Sequence, residues 1–157
     1  MSRSIFALAL SVALTTASAA SPADDVAAPV RQFIDGFNSG NVASAYAAYA
    51  PGDISIIDEF APFRWTGPNA ARAWAADYAR NARAKGITNG VVRYERPSRI
   101  ERAGGRAYVI VPSVYRYSER GRAMVEEGRL IAVVVRTARG WKLNGWTWSG
   151  VTPHAAR

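Results

Sequence analysis

The chain has 157 residues, no cysteine and a single histidine, His154, close to its end, so disulfide frameworks, thiolate or histidine-cluster metal sites, cysteine nucleophiles and Ser-His-Asp triads are not expected. Hydrophobic residues make up 49% and charged residues 20%, the composition of one globular domain. The net charge of +8 comes from 20 Lys+Arg against 12 Asp+Glu, but the arginines are scattered and interleaved with acids, as in Arg93–Arg102, so no nucleic-acid partner is implied.

Met1-Ser2-Arg3, the uncharged apolar run Ile5–Leu14 and the small-residue site Ala17-Ser18-Ala19 have the three parts of a secretory leader. The run is shorter than the roughly 20 residues that span a bilayer. Residues 1–20 are therefore expected to be a signal peptide. The mature chain is expected to be secreted or periplasmic, without stable membrane insertion, as one domain over residues 21–152 and a tail over 153–157.

Asp24 or Asp25 is expected to cap a first helix with Val26, Val30, Phe33, Ile34 and Phe37 on its apolar face, stopped by Asn38-Ser39-Gly40. Asn41 caps a second helix, with Val42, Ala45, Tyr46 and Tyr49 inward. After the turn Pro51-Gly52-Asp53, Ile54–Ile57 reads as a short strand leading into Asp58-Glu59-Phe60. Ala61–Trp65 reads as a loop. Thr66 or Gly67 then caps a third helix, with Pro68 at its first position, Ala71, Trp74, Tyr78 and Ala82 on its inner face, and Gly86 at its end. Four strands follow, over residues 91–102, 107–117, 124–136 and 141–148, joined by turns at Gly104-Gly105, Gly121 and Gly140. Residues 151–157 read as a frayed end. Helices first and consecutive hairpins after them make an α+β fold with a mostly antiparallel sheet.

Asp58 closes an apolar strand, where a partly buried carboxylate would be raised in pKa and suited to act as a general base. The alternative is a loop carboxylate that caps a turn or pairs with an arginine such as Arg64. Tyr115, which shares a strand face with Ser113 and Tyr117, is a candidate hydrogen-bond donor to a substrate; Tyr46, Tyr49 and Tyr94 are others. Phe33, Phe60, Trp65, Trp74, Tyr117, Trp146 and Trp148 are candidates to line a pocket for a planar or hydrophobic molecule. Trp146 and Trp148 share a face unless Gly145 forms a bulge that changes the parity. Glu126 and Glu127 must point to opposite faces of their strand, and the inward one has Arg116 and Arg129 as candidate partners. Oxygen ligands at Asp58 and Glu59 alone make a poor metal site.

The order of elements, with Val30–Asn41, Asp53–Asp58, Gly67-Pro68, Gly140–Leu143 and Trp146–Ser149 in their places, resembles the nuclear-transport-factor-2-like superfamily, in particular its SnoaL-like and ketosteroid-isomerase-like members. The resemblance covers about residues 25–150. It implies three N-terminal helices packed in a strongly curved sheet, a cystatin-like cone with an apolar cavity at its open end, and a homodimer. It also implies that Asp58 matches the isomerase's catalytic aspartate. That isomerase pairs its base with a tyrosine and a protonated aspartate, and both donors are missing here: Phe33 stands at the first position and Leu130 at or near the second. Steroid isomerisation by that route is not expected. The reading that results is an exported small-molecule-binding domain with an aromatic-lined cavity and no cofactor. The alternatives are a cofactor-free isomerase, cyclase or dehydratase with Asp58 as base, and a dimeric protein-interaction module.

Overall fold

In α1 (Ala28–Ser39), Pro29 sits in the first turn, where its missing N–H is not needed, and Val30, Phe33 and Ile34 recur on one buried face. The computed structural model describes residues 25–157; the leader read at 1–20 and Asp24 lie outside them. The capping residue of α1 is Ala27 rather than an aspartate. Asp25 lies two residues earlier, where its Oδ1 accepts from the Ala27 N–H at 3.1 Å and its Oδ2 from Arg31. Gly40, at φ 68°, closes the helix in the left-handed region that glycine enters without strain. Asn41 then caps α2 (Val42–Ala47), accepting from the Ser44 N–H at 3.0 Å.

The remaining elements are β1 (Ile54–Ile57), β2 (Arg64–Gly67), α3 (Ala70–Lys85), β3 (Ile87–Tyr94), β4 (Arg99–Ala103), β5 (Arg106–Glu119), β6 (Arg122–Thr137), β7 (Gly140–Gly150) and β8 (His154–Ala155). They form one open, curved sheet in the order β2-β1-β7-β6-β5-β3, with β4 also on β5 and β8 on β6. Pairing is antiparallel except between β1 and β7. The helices cover one face: α1 packs on β3 and β7, and α3 on β1, β2 and β3. This is the predicted α+β cone. Among the described residues no helix is long and apolar enough to cross a membrane.

Four boundaries differ from expectation, each for a reason of pairing. Residues 64–67 form a strand because they can pair antiparallel with β1, so α3 starts later, with Asn69 rather than Thr66 or Gly67 at its cap. The single strand expected over residues 91–102 is two strands. Pro97 has no N–H and disfavours a continuous ladder, so β3 and β4 meet β5 on either side of it. The end of the chain is tied down: Ala155 and His154 pair with Met124 and Val125.

The fourth difference sits in β7. Val133 pairs with Gly145 and Val134 with Leu143, which leaves Asn144 as the extra residue of a bulge. Leu143 and Trp146, three apart, therefore both point inward and are buried. The bulge is possible because Gly145 has no side chain: a Cβ there would lie 2.5 Å from the Ser55 carbonyl of the parallel partner strand. Gly145→Ala is accordingly expected to destabilise the fold by about 1–3 kcal/mol, the usual cost of forcing an atom into a packed site. The midpoint of urea unfolding measures it.

Candidate functional site

Between the helices and the concave face of the sheet lies a pocket of about 330 Å³. Phe33 and Phe37 enter it from α1, Trp74 and Tyr78 from α3, and Trp146 and Trp148 from β7. Their rings brace one another. Phe33 and Trp146 are 5.2 Å apart between centroids, Trp74 meets Trp146 edge-on at 5.1 Å, and Trp74 stacks on Tyr78 at 5.6 Å. Such contacts hold large side chains in fixed positions at little entropic cost.

Three carboxyls interrupt this aromatic lining: Asp58, Glu59 and Glu126. Asp58 follows β1, and the turn after it is held by the Asp58 N–H donating to the Phe63 carbonyl at 3.1 Å. Its Oδ2 accepts from the Trp74 indole N–H at 2.7 Å, and its Oδ1 from the Glu59 N–H at 2.8 Å. Trp74 and Glu59, rather than Arg64, are thus its partners. Burial pushes the Asp58 carboxyl above the usual range; the two N–H donors pull it back only in part, and the charge of Glu59 adds to the rise.

Of the two adjacent glutamates, Glu126 is the inward one, 6% exposed, and Glu127 faces out, 3.7 Å from His154. The partner of Glu126 is neither Arg116 nor Arg129: its Oε1 accepts from the Trp148 indole N–H. Burial raises its carboxyl to about 7, the indole opposing, with Glu59 and Asp58 reinforcing the rise through their charge. The Tyr115 hydroxyl shares a 2.6 Å hydrogen bond with that of Tyr78, and its ring stacks on Tyr117 at 4.7 Å. Burial raises the Tyr115 phenol further still, so it stays neutral.

Most of the predicted site residues come together here: Phe33, Asp58, Phe60, Trp74, Tyr115, Tyr117, Trp146 and Trp148 all line the pocket. Trp65 does not. It packs behind Phe60 with centroids 5.1 Å apart, and its indole donates to Asp77 at 2.7 Å. Tyr49 belongs to the core, where it accepts from Trp146 at 2.7 Å. Tyr46 and Tyr94 stay off the pocket as well. Sequence reasoning missed Phe37, Tyr78 and Lys85 as lining residues, although Phe37 and Tyr78 had been placed on the inner faces of their helices. Among the described residues no group of three or more metal-ligating side chains is assembled.

No protein-family model matches the chain, and no curated protein matches it either. Solved structures do. A nuclear transport factor 2-like superfamily protein from Salmonella enterica serovar Typhimurium superposes with a TM-score of 0.65 at 14% identity, over 86% of this chain and 92% of that one. A hexachlorocyclohexane dehydrochlorinase matches at TM-score 0.66 and 12% identity, over 83% and 88%. A ketosteroid isomerase-like protein from Erwinia carotovora matches at TM-score 0.61 and 12% identity, over 81% and 94%. The chain has the nuclear-transport-factor-2-like fold.

On that NTF2-like frame the two apolar substitutions read from the sequence both reach the pocket: Phe33 from α1 and Leu130 from β6 line it. Of the two acids of β6, Glu126 stands on the same inward face, four residues before Leu130. Its burial has a measurable consequence. Between the ordinary carboxyl value of 4.5 and about 7, the folded chain retains a proton that the unfolded chain has released. Stability must therefore fall as pH rises through that window. Glu126→Gln is expected to shrink this decline, read from urea midpoints taken across the window.

Proposed function

We propose that the pocket binds a small, planar, mainly apolar molecule and that Asp58 acts on it as a general base, moving a proton next to a carbonyl without a cofactor. The observation that supports this most is the placement of Asp58: a carboxylate among aromatic rings, oriented by the Trp74 indole and raised by burial. A base works best when its pKa approaches the operating pH, and positioned bases contribute about 10²–10⁴-fold. Tyr115, kept neutral and hydrogen-bonded to Tyr78, supplies a hydroxyl that can polarise the carbonyl. The relatives named above as an isomerase-like protein and a dehydrochlorinase agree with base-driven chemistry on this fold, without identifying a substrate for this chain. The leader-like sequence at residues 1–20 supports reading the activity as exported.

The alternative is binding without turnover, favoured by the same aromatic lining. Asp58→Asn separates the two, because the amide oxygen still accepts from Trp74 while the base is lost. With 2-indanone as probe, quenching of tryptophan fluorescence reports binding, and exchange of its α-hydrogens in D2O reports proton transfer. Asp58→Asn is expected to bind the ketone as the wild type does and to exchange it about 10²–10⁴-fold more slowly. Equal exchange rates would leave binding alone as the function.

A further inference from the structure

We propose that a second, smaller pocket between α1, α2 and α3 is the tail compartment of the same site, so that the molecule bound here is a planar carbonyl compound carrying a short, unbranched hydrocarbon chain. The proposal rests on the reading of the main pocket as a small-molecule site, and not on the role of Asp58. The second pocket measures about 110 Å³ and has an almost wholly apolar lining. At water's share of about 30 Å³ per molecule, that is room for roughly three or four methylene-sized groups.

Small residues make the space. Gly36, Ala45, Ala71 and Ala75 line it, where larger side chains on the three helices would fill it. The crossing of α1 and α2 is fixed by Gly36, since a Cβ there would lie 2.6 Å from the Ala45 backbone N. The Tyr49 hydroxyl, also on the lining, is taken by the Trp146 indole at 2.7 Å, so water in this pocket finds few partners. Protein interiors are otherwise close-packed, and a gap forfeits the contacts its lining would make. A hydrocarbon chain restores those contacts, and water does not.

Three rings, Phe33, Phe37 and Trp74, line both pockets and form the wall between them. Two of them are held firmly. Phe33 is buried and meets Tyr49 at 5.6 Å, Trp74 at 5.7 Å and Trp146 at 5.2 Å between centroids. Trp74 packs on Phe33, Tyr78 and Trp146, and its indole donates to Asp58. Phe37 is only half-buried, three residues before the Gly40 that ends α1, with Tyr78 at 5.3 Å and Trp74 at 6.2 Å. Rotation of the Phe37 ring therefore joins the two pockets with the least loss of packing. Asp58 lines the main pocket alone, so a chain that passes Phe37 leaves its carbonyl end on the side of Asp58.

The test uses aryl ketones that differ only in the tail: acetophenone and valerophenone, with pivalophenone as the branched isomer of valerophenone. Quenching of tryptophan fluorescence reads binding. The methyl resonances of Ala45, Ala71 and Ala75, which line the second pocket and not the main one, read its occupancy. Valerophenone is expected to bind about 30-fold more tightly than acetophenone, three methylenes at about three- to fourfold each, and to shift those resonances. Acetophenone and pivalophenone are expected to leave them in place. Ala75→Leu, which fills the pocket from α3, is expected to cut the preference for valerophenone over acetophenone to about threefold or less. Methyl resonances that stay put while valerophenone binds overturn the tail compartment with no variant needed, and leave the main pocket as a ligand site. Equal affinity for valerophenone and pivalophenone does the same. A wild type that binds none of these ketones overturns the small-molecule reading and this one with it.

Discussion

A carboxyl taken out of water must be met by donors or give up its charge, and in this chain indole N–H groups do the meeting. Trp74 donates to Asp58, Trp148 to Glu126 and Trp65 to Asp77. A hydrogen bond to a charged group contributes about 1.5–3 kcal/mol, while moving an ion out of water costs several. The indoles therefore orient the acids without fully restoring their charge, which is why Asp58 and Glu126 both end above their ordinary values. The rings of Trp74 and Trp148 also form the pocket walls. One residue type thus sets the shape of the site, the direction of its acids and their readiness to exchange protons.

That arrangement depends on the middle of the sheet. β7 lies between β1 and β6, parallel to one and antiparallel to the other, and its Trp146 meets both Phe33 of α1 and Trp74 of α3. The bulge at Asn144 turns Trp146 onto Phe33 and Trp74 while Leu143 stays in the core. Without the extra residue, Leu143 and Trp146 would lie on opposite faces. Glycines at three points make close approaches possible: Gly145 against β1, Gly150 beside Glu126, and Gly90, whose Cβ would lie 2.6 Å from the Tyr115 hydroxyl. Each clears space for an aromatic or backbone group that the pocket needs.

The charge of the chain and that of its pocket have opposite signs. A protein of net +8 gathers three carboxyls around one small volume, with Lys85 the cation among the lining residues. Surface arginines are well solvated and screened over about 8–10 Å at ordinary salt. They do little for carboxyls behind aromatic walls, so the local environment governs these acids and the net charge does not.

Much of this was legible in the linear order of residues. The apolar spacing of Val30, Phe33, Ile34 and Phe37, the stops at Gly40 and Gly86, and the alternation along residues 107–117 depend on neighbours a few positions away, so helices, strands and the α+β class could be read directly. Asp58 was recognisable because a carboxylate at the end of an apolar strand is unusual wherever the strand goes. Other features were decided by partners distant in the chain. Whether residues 64–67 are loop or strand depends on β1, and whether Trp65 lines the pocket depends on Asp77 of α3. Which of Glu126 and Glu127 turns inward could not be read locally, because the Leu130–Val135 run is apolar on both faces and hides the parity. The tertiary structure alone resolved it, by bringing Trp148 and the bare backbone of Gly150 to one side of β6.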